Sequence, residues 1–307
     1  MVETQKDVGL GRGALIWGCG RLGSQLALNL QKKGYLRVYG TTRSQTKGRR
    51  LVDLGVEPIF CDVNEGLTLH AIGKLPRDMV LDIFYCVAPG GDAEIGVKTL
   101  TRGLSGAVGA MSGLRIGRGV YVSSTRVYGD RGGGLVDADT PVGEVNGGEK
   151  FLLSAEQFWL REMKRLGGRG HVVRLAGLYD EGRVVGKRGL LEGKPIVGDA
   201  DGAINLIHTS DAAWLLVDVA GSDDAGEIEL GCDEGGVSRR DYYDDLAGAY
   251  GLGRPTYLSD ADAGLLGIDM TGRGGKFKRC SNGVTKHRCG WAPKFASYRE
   301  GLAGLFL

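Results

Sequence analysis

Three glycines near the start of the chain have the spacing to bind a phosphate group. Gly18, Gly20 and Gly23 form the pattern G-x-G-x-x-G in the segment GCGRLG. Glycine at these positions allows a tight turn, a close approach of an anion to the backbone, and close packing of a helix on a strand. The spacing therefore indicates a loop whose backbone N–H groups bind a diphosphate at the positive end of a helix dipole.

The segments on either side of the glycines are those that such a loop needs. The apolar residues Ala14–Trp17 predict a buried strand, and leucines at four-residue intervals predict an amphipathic helix over Leu22–Lys33. A strand, a glycine loop and a helix in this order are the context in which the motif binds a dinucleotide. The alternative is a purely structural turn. The residues expected to contact the dinucleotide are Gly18, Gly20, Arg21, Leu22 and Gly23.

The end of the second predicted strand bears on which dinucleotide is bound. Sites for NAD usually carry an Asp or Glu about 20 residues after the first glycine, where it binds the adenosine ribose. The segment Leu36–Arg43 reads LRVYGTTR and contains no acid. The hydroxyls of Thr41 and Thr42 and the guanidinium of Arg43 suit a 2'-phosphate, so the sequence predicts NADP(H) in preference to NAD(H). The alternative is that Arg43 is a solvated turn residue.

Strand-like and helix-like segments alternate through the first part of the chain. Apolar and β-branched runs predict strands at Ala14–Trp17, Leu36–Tyr39, Pro58–Cys61, Val80–Val87, Gly119–Ser123 and His171–Leu175. Helical periodicity predicts helices at Leu22–Lys33, Gln45–Leu54, Ala93–Leu104 and Lys150–Leu166. This order predicts an α/β fold, a Rossmann doubly wound parallel sheet that binds its ligands at the carboxyl ends of the strands.

The alternation of predicted strands and helices is less regular in the rest of the chain. The segments predicted there are helices at Lys187–Glu192, Arg239–Tyr250 and Tyr298–Leu305, a strand–turn–helix at Ile204–Ala220, and a strand at Glu227–Leu230. We expect an NADP-binding Rossmann domain over residues 1–182 and a smaller substrate-binding region over 183–307. Within that region, residues 204–231 are expected to return to the Rossmann sheet.

Further motifs occur along the chain in a recognisable order. They are YVSSTRVYGD (Tyr121–Asp130), RLAGLYDEGR (Arg174–Arg183), INLIHTSDAA (Ile204–Ala213) and NGVTKHRCGWAP (Asn282–Pro293). Together with GCGRLG, they resemble the atypical and extended short-chain dehydrogenase/reductase superfamily of the NAD-dependent epimerase/dehydratase type. The resemblance covers nearly the whole chain from about Gly11.

The resemblance implies roles for particular residues. Ser124 matches the active-site serine that hydrogen-bonds the substrate oxygen, and Asp62 matches the residue that contacts adenine. Val87, Ala88 and Pro89 match the loop under the nicotinamide ribose of the cofactor. The implied activity is that of an oxidoreductase.

The sequence departs from the family at the usual proton relay, a Tyr-x-x-x-Lys pair about 25 residues after the serine. Aligning on the family's glutamate places Gly148 and Leu152 at these positions, and a shift by one places Glu149 and Leu153 there. Neither register restores a proton donor. Tyr128 is the nearest candidate acid, although a structural role for it in the Val-Tyr-Gly turn is the alternative.

The later motifs carry polar residues of open role. Asp211 either belongs to the family motif or caps the helix that follows it, and His208 reads as a packed structural histidine. Four basic residues after the sixth predicted strand could bind a carboxylate or phosphate and slightly favour an anionic substrate. They are Arg174, Arg183, Lys187 and Arg188.

Composition limits the remaining possibilities. The chain has 307 residues, 39 basic against 37 acidic, and a formal charge of +2, which does not favour nucleic acid or a membrane as partner. The six cysteines form no disulfide pattern, and the spacing of Cys280, His287 and Cys289 is not that of a metal site. No run approaches the length of a membrane span, so we expect a cytoplasmic protein that acts on a small molecule. The resemblance implies a monomer or a homodimer.

The leading hypothesis is an NADP(H)-dependent oxidoreductase acting on a small polar metabolite. The absent relay leaves two alternatives open. One is a non-catalytic NADP(H)-binding sensor or regulatory protein, and the other is a nucleotide-sugar-type epimerase or dehydratase.

Overall fold

The computed structural model describes residues 11–90, 92–143, 147–234, 236–268 and 277–306. The chain divides into two compact units. Unit 1 takes its described residues from Met1–Ser123, Asn146–Val173 and Ala213–Ile228. Unit 2 takes them from Ser124–Val145, Arg174–Ala212 and Glu229–Leu307.

The strands are β1 Gly13–Trp17, β2 Arg37–Thr42, β3 Glu57–Phe60, β4 Val80–Tyr85, β5 Arg115–Ser124, β6 Leu135–Val136, β7 Arg169–Leu175, β8 Gly177–Tyr179, β9 Ile196–Val197, β10 Ala203–Ile204, β11 Leu206–His208, β12 Ile228–Gly231, β13 Val237–Ser238, β14 Tyr257–Leu258 and β15 Arg279–Cys280. The α-helices are α1 Arg21–Lys32, α2 Gln45–Asp53, α3 Ala93–Lys98, α4 Leu104–Ala110, α5 Gly148–Arg165, α6 Lys187–Leu191, α7 Thr209–Gly221, α8 Arg239–Ala249, α9 Asp260–Leu265, α10 Gly283–Cys289 and α11 Tyr298–Gly301. Short 3-10 helices occupy Gly66–Lys74, Thr125–Tyr128 and Ala303–Leu305, and a π-helical turn at Thr99–Gly103 joins α3 to α4.

The main sheet has seven strands in the order β12-β7-β5-β4-β1-β2-β3. β1 pairs in parallel with β2 on one side and with β4 on the other. The strand order reverses at β1, which is the topological switch point where doubly wound sheets bind ligands. The predicted fold class, a Rossmann doubly wound parallel sheet, is confirmed.

Most of the predicted elements are present, with small differences at their ends. The helix predicted at Ala93–Leu104 continues to Ala110, because the π-helical turn lets the chain pass from α3 into α4 without stopping. The strand predicted at Gly119–Ser123 begins earlier, at Arg115. Several strands of unit 2 were not predicted, since a strand of two or three residues shows no periodicity.

Aromatic rings fill the space beside the carboxyl ends of the central strands. Trp17 of β1 is in register with Tyr85 of β4, and Tyr85 is in register with Tyr121 of β5. The rings of Tyr85 and Tyr121 stack with centroids 5.5 Å apart, and Trp159 of α5 packs 5.9 Å from each of them. All four side chains are buried, so the ends of these strands are held by large apolar contacts.

A buried carboxylate joins β4 to β5 and to the segments that precede β1 and β2, at the other end of the sheet. Asp82 of β4 accepts hydrogen bonds from the Tyr35 hydroxyl (2.6 Å), the Arg12 guanidinium (3.1 Å) and the backbone N–H of Arg118 (2.7 Å). The Asp82 side chain is fully buried, whereas Arg12 is about half exposed. A buried charge is tolerated when it is hydrogen-bonded in this way.

Unit 2 has an apolar core of its own. Tyr179, Tyr242 and Tyr298 lie at its centre, packed with leucines of α6, β11 and α8. The rings of Tyr242 and Tyr298 meet edge to face at 4.9 Å. Within the described residues, no helix combines the length and apolar character needed to cross a membrane.

We expect Asp82→Asn to lower the free energy of unfolding by about 2–3 kcal/mol, because the neutral amide loses charged hydrogen bonds in a buried site. Urea denaturation of the two proteins measures this difference. The matched control is Glu57→Gln, which removes the charge of a half-exposed partner of Arg37 in the same sheet and should change stability by less than about 1 kcal/mol. An Asp82→Asn protein as stable as the control would contradict the assigned role of the network.

Candidate functional site

The glycine loop between β1 and α1 has the backbone geometry that its sequence predicts. Gly18 has φ +83°, a left-handed conformation that favours glycine. The N–H of Gly20 donates to the Gly18 carbonyl at 2.8 Å, which closes the tight turn. Gly20 is then the N-cap of α1.

Each glycine of the motif has a distinct steric environment. A Cβ on Gly18 would lie 3.1 Å from the backbone nitrogen of Val87, and one on Gly23 would lie 2.5 Å from the Gly18 carbonyl oxygen. A Cβ on Gly20 would meet nothing within 4 Å. Gly18 and Gly23 therefore allow backbone to pack on backbone, whereas Gly20 leaves an open face on which a ligand can approach the main chain.

α1 places its first turn beside this open face. Leu22, Leu26 and Leu30 are buried along one side, which fixes the helix on the sheet. Arg21 is exposed at the first helical position. Backbone N–H groups at a helix start carry partial positive charge and bind anions.

The end of β2 differs from the sequence-based expectation for its two threonines. Thr41 and Thr42 are buried, and their side-chain oxygens accept hydrogen bonds from the N–H groups of Gly18 (2.8 Å) and Ser44 (3.3 Å). Both hydroxyl groups therefore act within the fold. The link from Thr41 to Gly18 was not foreseen, because the partner of a hydroxyl depends on how β2 is aligned with β1.

Arg43 is the exposed cation at the end of β2. Its guanidinium lies 3.2 Å from the carboxylate of Asp62, the residue that follows Cys61 after β3. The Arg43 side chain is 73% exposed and that of Asp62 is 24% exposed, so the arginine remains open to solvent on most of its surface. The structure thus brings together two of the residues predicted to bind the adenosine end of a cofactor.

The segment after β4 lies against the glycine loop. Val87 is in contact range of Gly18, as described above, and is partly buried. Ala88 and Pro89 follow it and are exposed. Val87 therefore borders the loop directly, while Ala88 and Pro89 continue from that edge.

In unit 2, the predicted catalytic residues lie in and before one turn of 3-10 helix. The hydroxyl oxygen of Ser124 accepts the N–H of Arg126 at 3.2 Å. Tyr128 is buried, its hydroxyl donates to the carbonyl of Asp137 at 2.6 Å, and the Arg174 guanidinium lies 4.8 Å from its ring centre. This geometry favours the structural role for Tyr128, and the catalytic roles of both residues stay predictions.

α5 carries the positions where the proton relay of the resembled family would stand. Gly148 begins the helix and is exposed, whereas Leu152 is buried. One turn further on, Glu156 is buried and accepts a hydrogen bond of 2.5 Å from the hydroxyl of Ser123. The described part of α5 therefore connects to β5 through Ser123 and Glu156. The resemblance aligns Glu156 with the family's glutamate but does not predict its bond to Ser123.

A second group of polar residues is buried in unit 2. His208 packs between the rings of Tyr179 (5.3 Å) and Phe295 (4.3 Å), which agrees with the structural role expected for it. Its Nδ1 accepts the N–H of Ser210, and burial lowers the pKa of the imidazole. Asp211 does not cap α7, since its carboxylate accepts the N–H groups of Lys294 and Phe295 and so anchors the C-terminal segment.

Asp233 is the most perturbed acid of this group. One carboxylate oxygen accepts the N–H of His208 at 3.3 Å, and the other is buried without a hydrogen bond among the described residues. The Tyr179 hydroxyl lies close enough to lower the pKa of Asp233 but falls short of good hydrogen-bond geometry. Burial outweighs both effects and raises the pKa of Asp233 from 3.8 to about 7.

The basic residues proposed for substrate binding occupy different environments. Arg174 is buried against Tyr128, and Arg188 is exposed and paired with Glu192 at 2.7 Å. Lys187 lies 4.7 Å from the centre of the Tyr250 ring, and Arg183 is exposed. The part of these four side chains in substrate binding stays a prediction.

Comparison with known proteins finds relatives that match most of this chain. No protein-family model matches the sequence. Protein YeeZ of Escherichia coli K12 is 28% identical over 257 residues, which are 81% of this chain and 88% of YeeZ. A conserved protein of unknown function from Silicibacter pomeroyi is 26% identical with a TM-score of 0.72, over 95% of this chain and 97% of that one.

An enzyme of known activity has the same fold. The dTDP-glucose 4,6-dehydratase of Bacillus anthracis, in complex with NAD, matches with a TM-score of 0.74 at 18% identity, over 96% of each chain. At this identity, the likeness establishes the fold alone. The chain therefore shares the fold of this dehydratase.

The different environments of Gly20 and Gly23 lead to a prediction. Gly20→Ala should leave the free energy of unfolding within about 1 kcal/mol of wild type, because its Cβ meets nothing, but should weaken NADPH binding at least about tenfold by covering the open backbone. Gly23→Ala should cost about 1–3 kcal/mol of stability through overpacking. Urea denaturation and NADPH titration followed by tryptophan fluorescence test both. Equal NADPH affinity for wild type and Gly20→Ala would argue against the loop as a diphosphate site.

Asp233 predicts a pH-dependent stability. Because its folded pKa is raised, the folded state holds the proton more tightly than the unfolded state, and stability falls as the pH rises from about 4 to about 7. A rise of about three pKa units, at about 1.4 kcal/mol per unit, means that this group should cost about 4 kcal/mol of stability above pH 7. Asp233→Asn should remove this decline, and urea unfolding at pH 4.5 and pH 8 measures it. Parallel pH profiles for the two proteins would refute the assignment.

Proposed function

We propose that the protein is an NADP(H)-dependent oxidoreductase of the atypical short-chain dehydrogenase/reductase type, acting on a small polar metabolite. The observation that carries the proposal is the glycine loop at the end of β1. Its backbone is open at Gly20 and closely packed at Gly18 and Gly23, as a diphosphate site requires. The NAD complex of the B. anthracis dehydratase, which shares the fold, supports a nicotinamide cofactor.

The described residues of unit 1 fit such a cofactor. The backbone from Gly18 to Gly23 would hold the diphosphate, and Asp62 would lie at the adenosine end. Val87, Ala88 and Pro89 would border the nicotinamide ribose. The open face at Gly20 is the observation that tests this fit, because a side chain or packed backbone there would exclude the diphosphate.

Charge at the end of β2 supports NADP(H) over NAD(H). Arg43 is largely exposed and offers a planar cation suited to a phosphate. The carboxylate of Asp62 beside Arg43 offsets part of this positive charge, and it could itself bind ribose hydroxyls. The preference for NADP(H) therefore depends on whether Arg43 exchanges Asp62 for the more highly charged 2'-phosphate. Such exposed ion pairs are worth at most about 1 kcal/mol, which makes the exchange feasible.

The chemistry of the proposed reaction divides between cofactor and protein. The nicotinamide, when bound, supplies or accepts a hydride. Ser124 would hold the reacting substrate oxygen through its hydroxyl, at the cost of the weak 3.2 Å contact with Arg126. An imine or an activated alkene would need less acid assistance than a ketone, since less negative charge develops on oxygen.

Two observations favour a second candidate, an NADP(H)-binding regulatory protein without turnover. The Tyr128 hydroxyl is occupied by the Asp137 carbonyl, and the aliphatic Leu152 stands at the position of the family's lysine. Neither side chain therefore offers a proton donor that is available to a substrate. A nucleotide-sugar epimerase or dehydratase, the activity class of the matched dehydratase, would need the same donor.

We expect Arg43→Ala to weaken NADPH binding about tenfold and to leave NADH binding within about twofold, because only NADPH carries the 2'-phosphate. Fluorescence titration of both nucleotides measures the ratio. Arg37→Ala is the matched control, since Arg37 is also an exposed arginine of β2 paired with an acid but lies at the opposite end of the strand. Equal loss for both nucleotides, or a wild type that prefers NADH, would refute the NADP(H) assignment.

Activity separates the two candidates once binding is shown. A library of carbonyl and imine compounds is screened by the loss of NADPH absorbance. Turnover that falls in Ser124→Ala supports the oxidoreductase. Tight NADPH binding without turnover on any compound supports the regulatory protein.

A further inference from the structure

We propose that Thr41 is a positioning residue for the cofactor loop, whose hydroxyl and carbonyl oxygens together hold the first two residues of the glycine loop in their binding conformation. The Gly18 N–H donates to the Thr41 hydroxyl oxygen at 2.8 Å, and the Cys19 N–H donates to the Thr41 carbonyl at 2.9 Å. We call these two contacts the Thr41 clamp. The inference rests on the proposed function, because it concerns how that loop binds a nucleotide.

The clamp acts where the loop is most constrained. Gly18 has φ +83°, and its neighbour Val87 lies on its other side. Because the chain leaves the β1 ladder here, the Gly18 N–H needs a partner from outside that ladder, and Thr41 supplies it. The contact is part-buried, so a Gly18 N–H that loses its partner pays part of the desolvation cost of the group in addition to the lost hydrogen bond.

The residue before Thr41 in β2 also contributes to this contact. A Cβ on Gly40 would lie 2.5 Å from the sulfur of Cys19. The absence of a side chain at Gly40 therefore lets the Cys19 side chain pack against β2, while Thr41 takes the two N–H groups. Two independent features of β2 thus fix the same short segment of the loop.

The position of Thr41 separates its role from that of Arg43. Thr41 is buried and reaches the loop, whereas Arg43 is exposed two residues later. Thr41 should therefore influence every nucleotide that has a diphosphate, with or without a 2'-phosphate. Arg43 should influence only those that have the 2'-phosphate.

Binding experiments use Thr41→Val, which keeps the β-branched shape and removes the hydroxyl, and Thr41→Ser, which restores it. We expect Thr41→Val to weaken NADPH, NADH and ADP-ribose equally, by about tenfold, and to leave adenosine 2'-monophosphate unchanged. Thr41→Ser should bind within about threefold of wild type. Thr285→Val is the matched control, because the Thr285 hydroxyl is also buried and also accepts a backbone N–H, that of Leu230 at 2.9 Å, but belongs to unit 2.

Amide hydrogen exchange, measured by NMR on the free protein, gives a readout that does not depend on any nucleotide. The Gly18 amide should exchange about tenfold faster in Thr41→Val than in wild type, and at the wild-type rate in Thr41→Ser and Thr285→Val. Thermal unfolding checks that each variant is folded. A general loss of stability would speed exchange throughout β1 and β4, whereas loss of the clamp speeds it at Gly18.

The outcomes distinguish this inference from the proposed function. If wild type binds NADPH or NADH and Thr41→Val binds it equally well, or if Gly18 exchange is unchanged, the inference is wrong and the proposed function stands. If Thr41→Val loses adenosine 2'-monophosphate as strongly as ADP-ribose, Thr41 contacts the ligand directly and the inference is also wrong. If wild type binds neither dinucleotide, the proposed function fails, and Thr41 has no cofactor loop to position.

Discussion

The close approach of Gly23 to Gly18 is the constraint on which the rest of unit 1 depends. Because no side chain separates them, α1 begins directly at the end of β1, and its leucine face reaches the sheet. The same approach leaves the backbone at Gly20 open. Any larger residue at Gly23 would push the helix away from the strand and would change the position of every N–H group in the loop.

Contacts at both ends of the central strands hold the sheet that carries the glycine loop. At one end, Asp82 joins β4 to the segments of Arg12, Tyr35 and Arg118 through hydrogen bonds to a buried charge. At the other end, the rings around Tyr85 fill the space next to the loop. Hydrogen bonds to Asp82 align the strands at one end, and packing of aromatic rings aligns them at the other. The strand ends that carry the glycine loop are therefore held rigidly.

Unit 2 uses buried polar groups in a different way. Asp211 accepts two backbone N–H groups and holds the C-terminal segment, which is a satisfied structural role. Asp233 keeps one buried oxygen without a hydrogen bond among the described residues, and its pKa is raised accordingly. The stability of unit 2 is therefore linked to proton binding at Asp233. In unit 1, by contrast, the buried carboxylate of Asp82 has hydrogen bonds to both of its oxygens.

The sequence alone determined the sheet-forming strands, the long helices and the glycine motif, because periodic burial and the special conformations of glycine are local properties. It also identified Arg43 as a cation at the end of β2. It could not assign Thr41, Asp211 or Glu156, whose hydrogen bonds join residues far apart in the chain. It likewise could not show that the Tyr128 hydroxyl is occupied by Asp137. The partner of a polar side chain depends on strand register and helix packing, and only the tertiary structure decides these.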